Sequence, residues 1–104
     1  MKTHQQIDRR SLALARAIAE KVDRDPQRGL RIARDNCRRW LEQYDSPVNR
    51  EWWEILQQPW EQIREILLGE SDNSRRLRQS SPFAGVLTPR ERWAIYRKFQ
   101  ENAD

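Results

Sequence analysis

Asp25-Pro26, Ser46-Pro47 and Thr88-Pro89 each set a short residue with a side-chain oxygen directly before a proline that opens a helical pattern. A proline at the first helical position loses nothing by lacking an N–H. The residue before it accepts from amides that a helix start leaves unpaired. Each pair therefore predicts a helix start, and Thr88-Pro89-Arg90-Glu91 forms a capping box, with the carboxylate returning to the cap residue's own amide. Strand signals are almost missing, since the chain has three glycines, no Asn-Gly or Asp-Gly turn and no sustained alternation.

Helical spacing fills the intervals. Ile7, Leu14, Ile18 and Val22, with Ala15 and Ala19 between them, stripe a first helix from about His4 to Val22. Leu30, Ala33, Cys37, Trp40, Leu41 and Tyr44 follow one face of a second, running from Pro26 to about Tyr44. Trp52, Trp53, Ile55 and Leu56 belong to a third that Pro59 interrupts, and Trp60, Ile63, Ile66 and Leu67 to a fourth that Gly69 stops. Residues 47–68 thus read as one kinked helix or as two. One or two turns around Leu77 precede a loop over Ser80–Leu87, and a last helix carries Trp93, Tyr96 and Phe99, with Ile95 alongside, to about Gln100. The expected fold is all-α, a compact bundle of five or six short helices in a single domain spanning residues 1–104.

The composition leaves a small core. Hydrophobic residues make up 37% of the 104 residues and charged residues 35%, against roughly 45–50% and 25% in an average soluble domain. Five tryptophans with two tyrosines and two phenylalanines must carry much of the packing. No stretch approaches the roughly 18 consecutive apolar residues of a membrane span, and the opening MKTHQQIDRR has no apolar signal region. The expectation is a cytoplasmic protein with no membrane partner.

Most catalytic constellations fail on inventory. His4 is the sole histidine and Cys37 the sole cysteine, so neither a Cys/His zinc site nor an internal disulfide is available. Gly29, Gly69 and Gly85 are isolated, so there is no glycine-rich phosphate loop. Glu51 with Glu54 and Glu61 with Glu65 lie on common helical faces and could be read as a carboxylate cluster, but that face is opposite the tryptophans and isoleucines and suits solvent. Cys37 falls on an apolar stripe and reads as a small buried hydrophobe. The expectation is a protein without enzymatic activity, cofactor or metal.

The charge is more informative. The net +4 arises from 17 arginines and 3 lysines against 16 acids. Residues 1–50 carry +5 (12 bases, 7 acids), 51–74 carry −5 (1 base, 6 acids) and 75–104 carry +4 (7 bases, 3 acids). Arginine's planar fork suits bidentate contact with carboxylate or phosphate. At 100° per residue, Arg24, Arg28, Arg31, Arg34 and Arg38 share an arc of roughly 120°, a ridge roughly 20 Å long. Such a ridge serves a partner's acidic groove or nucleic-acid phosphates; otherwise it is a solvated face paired with Asp23, Asp35 and the acidic middle segment. A second basic group, Arg75, Arg76 and Arg78, precedes the apolar loop with Phe83, Val86 and Leu87. Loops are ordinarily polar, so this one is either tucked over the core or offered to a partner, with Phe83 as an anchor ringed by arginines.

The stretch RRLRQSSPFAGVLTPRERWAIYRKF, with the earlier pattern LARAIAEKV…ARDNCRRW…W…IL, resembles small bacterial proteins associated with toxin–antitoxin-like gene pairs. The resemblance covers most of the chain. It implies a helical antitoxin-like protein that binds and neutralises a cognate toxin encoded beside it, with DNA or RNA as the alternative partner. The expected partner-binding set is Arg24, Arg28, Arg31, Arg34, Arg38, Arg75, Arg76, Arg78 and Phe83.

Overall fold

In a computed structural model, residues 4–101 are described, and their side chains from Ile7 to Gln100; the His4 side chain lies outside the described residues. Six helices follow one another: α1 (His4–Arg24), α2 (Pro26–Gln43), α3 (Pro47–Ile55), α4 (Trp60–Leu68), α5 (Asp72–Arg78) and α6 (Pro89–Glu101). Among the described residues there is no strand. The all-α expectation holds, and the alternative left open over 47–68 resolves as two helices. No helix among the described residues is long and apolar enough to cross a membrane.

The helix starts are where the cap residues stand. Asp25 accepts from the Arg28 amide, Ser46 from the Asn49 amide and Ser71 from the Ser74 amide. At α6 the capping box is complete: the Thr88 amide donates to Glu91 Oε1 at 2.8 Å and the Glu91 amide to Thr88 Oγ1 at 3.1 Å. Gly69 ends α4 in an extended conformation (φ −65, ψ 156), not the left-handed one usual for a glycine stop.

α1 is the hub, packing against α2, α4, α5 and α6, while α2 packs on α1 and α3. α1 and α2 are separated only by Asp25, so they fold back tightly on each other. At that corner a Cβ on Gly29 would stand 2.6 Å from a Val22 methyl, so only glycine permits the approach. The core comprises Val22, Ala33, Cys37, Trp52, Leu56, Ile63, Leu67, Leu77, Phe83 and Val86, with Ala15 of α1 at its edge. Trp52 is the one fully buried tryptophan among the described residues, its Nε1 donating to the Leu77 carbonyl at 2.9 Å; Trp40, Trp53 and Trp60 lie half-buried at the margin. The Cα radius of gyration, 13.8 Å, is close to the about 13 Å of a compact domain this size.

Two aromatic expectations are corrected. Tyr44 is 76% exposed because α2 ends at Gln43 and Tyr44 has extended backbone, which turns its side chain off the apolar stripe. Trp93 is 52% exposed: α6 packs on α1 along one side, where Arg92, Ile95, Tyr96 and Phe99 become half-buried while Trp93 stays on the flank.

Lys21 ties α1 to α6, its Nζ lying 2.7 Å from Glu91 Oε1. This ammonium, with the Thr88 amide and hydroxyl, lowers the Glu91 pKa from 4.5 to about 2. A carboxyl held lower in the folded than in the unfolded state stabilises the fold fully above the unfolded value and loses that contribution as pH falls through the folded one. The α6 attachment should therefore weaken between about pH 4.5 and 2. NMR titration should give Glu91 a midpoint near 2, with the α6 amides following it. A midpoint at the ordinary carboxylate value would refute the clamp.

Candidate functional site

The predicted basic ridge is placed on the outer side of α2, opposite the buried Ala33, but with three changes. First, Arg24 is the last residue of α1, not part of α2; it reaches the ridge across the tight corner at Asp25. Secondly, the ridge divides into two halves of different character. In the C-terminal half Arg38 pairs with Asp35 at 3.2 Å, and Asp35 itself lies in the same arc. Arg34 bends to the end of α3, its Nη2 donating to the Leu56 carbonyl at 3.1 Å. In the N-terminal half Arg24, Arg28 and Arg31 form no salt bridge among the described residues. Arg24 and Arg31 are exposed and Arg28 is half-buried. Thirdly, Asp23 does not neutralise the ridge. It accepts from Trp60 Nε1 at 2.7 Å and from Arg64 Nε at 3.2 Å, so it serves the α1–α4 contact.

The second predicted group is dispersed. Arg75 lies 3.6 Å from Asp72 within α5. Arg76 is held by Glu51 of α3 and by Asn73, each at 2.6 Å. This pairing lowers the Glu51 pKa and raises that of Arg76, in each case first through the side-chain hydrogen bond. Arg78 is only 8% exposed and turns inward, Nη1 donating to the carbonyls of Leu67 at 3.0 Å and Gly69 at 2.5 Å, the open end of α4. It is not available as an outward contact. α5 packs on α1 and α4 and α2 on α1 and α3, so the two arginine groups occupy different elements.

Phe83 is a further correction, since it has no exposure at all. Its ring centroid lies 6.2 Å from that of Trp52, edge to face, and 6.0 Å from that of Trp60. The 80–87 loop is therefore a lid on the core rather than an anchor offered to a partner. What holds it is Asn36 of α2, which sequence reasoning passed over. Its Nδ2 donates to the Pro82 carbonyl at 2.9 Å and the Ala84 carbonyl at 2.7 Å, and its Oδ1 accepts from Arg39. The signal was present as a lone amide directly before Cys37 and three residues beyond Ala33, on an otherwise apolar side. Gly85, at φ +91, supplies the left-handed residue that closes the loop after this tether.

The remaining chemistry is spoken for. Cys37 is buried, its Sγ donates to the Asn49 carbonyl at 3.3 Å, and burial pushes its pKa up, so the thiolate that reactivity requires is disfavoured. Glu54, Glu61 and Glu65 are exposed and Glu51 is engaged with Arg76. Among the described residues no group of three His, Cys, Asp or Glu side chains is placed to hold a metal ion. Of the predicted arginines, Arg24, Arg28 and Arg31 are thus the ones left without a carboxylate or carbonyl partner among the described residues. No protein-family model, curated protein or solved structure matches this chain.

Proposed function

We propose that the chain is a non-catalytic interaction protein that docks its Arg24, Arg28 and Arg31 corner onto an acidic surface of a partner protein, the antitoxin-like role that the sequence resemblance implies. The observation that carries this reading is the absence of a salt bridge at all three arginines among the described residues, while the other predicted arginines each have a carboxylate or carbonyl partner. Guanidinium forks on a rigid helical corner match carboxylates bidentately, and such exposed charge accelerates encounter more than it adds affinity. Phosphates fit the same forks less well as a ligand class here, because Asp35 cuts the ridge short. Three phosphate contacts would give a log–log salt slope of only about −3.

The test is co-expression with the product of the adjacent gene. A complex should form, raise the melting temperature of the chain, and lose at least about tenfold in affinity in the triple variant R24Q/R28Q/R31Q. The free variant should melt within a few degrees of the parent. Identical melting with and without the neighbour, or a triple variant that binds as the parent does, would overturn the proposal. So would salt-dependent binding of duplex DNA or RNA with a slope near −3 in the absence of any protein complex, because it would assign the corner to phosphates.

A further inference from the structure

A cavity of about 260 Å³ lies between α1, the ends of α4 and α5, the 80–87 loop and α6. Its polar rim is Ser11, Arg78, Gln79, Ser81, Arg92 and Tyr96. Leu14, Ile18, Leu67 and Phe83 form the apolar wall. No carboxylate lines it, and neither Arg78 nor Arg92 forms a salt bridge among the described residues. Two cations facing one cavity without an acid is an unusual arrangement, because buried charges are ordinarily paired. Arg78 is the stronger case: it is largely buried, and among the described residues it donates to two carbonyls, both from Nη1. Asp8 and Glu70, which favour its charged form, line a separate hollow to which Arg78 also contributes. A third guanidinium, that of Arg10, stands 5.1 Å over the Tyr96 ring and adds positive potential at the rim.

The geometry points to this cavity as a binding site for a small monocarboxylic acid with an aryl or alkyl body, its carboxylate on Arg92 and Arg78 and its body against Leu14, Ile18 and Phe83. The site is separate from the α2 corner and does not depend on it. The volume lies just under the roughly 300–1,000 Å³ of sites for drug-sized ligands, which favours an occupant of about ten non-hydrogen atoms. A single negative charge suits the rim better than a phosphate dianion, because Arg78 has already committed Nη1 to the end of α4 and the cavity has apolar walls.

Proton–nitrogen NMR titration of the full chain with phenylacetate tests this. Saturable shifts are expected at the Ser11, Gln79 and Tyr96 amides and at the Arg92 Nε–H, with half-saturation on the order of 1 mM. Phenylacetamide, which lacks the charge, and acetate, which lacks the body, should each bind at least about tenfold more weakly. Arg92→Gln should weaken phenylacetate by a similar factor; the side chain is half-buried and in no salt bridge, so the fold should survive. Ser11→Leu keeps both arginines but narrows the cavity, and should lose binding as well. The absence of saturable shifts, amide or acetate binding equal to that of phenylacetate, or unchanged binding in both variants would overturn the proposal. Inorganic phosphate binding more tightly than phenylacetate would also overturn it.

Discussion

Phe83→Ala should lower stability by about 3–5 kcal/mol, the range for emptying a fully buried phenylalanine site. The ring has no exposure and is flanked by Trp52 and Trp60, and neither tryptophan can relax into the vacancy without giving up its own hydrogen bond, to Leu77 and Asp23 respectively. A domain of this length is stable by about 5–15 kcal/mol in total, so the variant stands near the threshold of folding. At roughly 4–8 °C per kcal/mol the melting temperature should fall by about 12 °C or more. Thermal unfolding followed by circular dichroism at the helical band measures this. A surface anchor would behave in the opposite way, with an unchanged melting curve and weakened partner binding, so a shift under about 2 °C would return Phe83 to the surface.

Asn36→Ala should cost about 2–3 kcal/mol, because two donated hydrogen bonds vanish and the Pro82 and Ala84 carbonyls lose their partner beneath the lid. The effect should be concentrated locally. The Val86 amide, bonded to the Phe83 carbonyl at 3.2 Å inside the lid, should exchange with solvent faster by more than the fall in global stability explains, whereas amides in the middle of α1 should follow the global change. Uniform acceleration at both places would show that Asn36 supports the bundle generally and does not tether the lid. The two substitutions act on one loop and share contacts, so their costs should not add.

The helix starts were legible because they are local. Asp25, Ser46 and Thr88 each find their partner within three residues, and no tertiary context competes with a cap that close. The break at Pro59 was less plain, since residues 47–68 read as one kinked helix or as two, and Pro59 starts α4 without a side-chain cap. What escaped depends on where helices meet. Arg78 looks on the chain like one more basic surface residue, and its inward turn is decided by the open carbonyls of α4, a fact about the end of another helix. Trp93 has the spacing of a core residue, but α6 packs chiefly on α1 and leaves that flank open. Phe83 had two readings in the sequence, and the choice was made by Asn36, 47 residues earlier in the chain. In the candidate site, the arginines themselves were legible but their pairings were not. Asp35 was visible as a neutralising partner, whereas the capture of Asp23 by Trp60 and Arg64 required the α1–α4 contact.

Because α1 receives α6 along one flank while α2, α4 and α5 cover others, the seam beside the first helix of the bundle is completed by the last. Throughout translation of the intervening residues, Leu14 and Ile18 border an unfilled seam, a greasy strip of the sort that chaperones hold. The docking of α6, more than any earlier event, is then the step at which this small bundle closes.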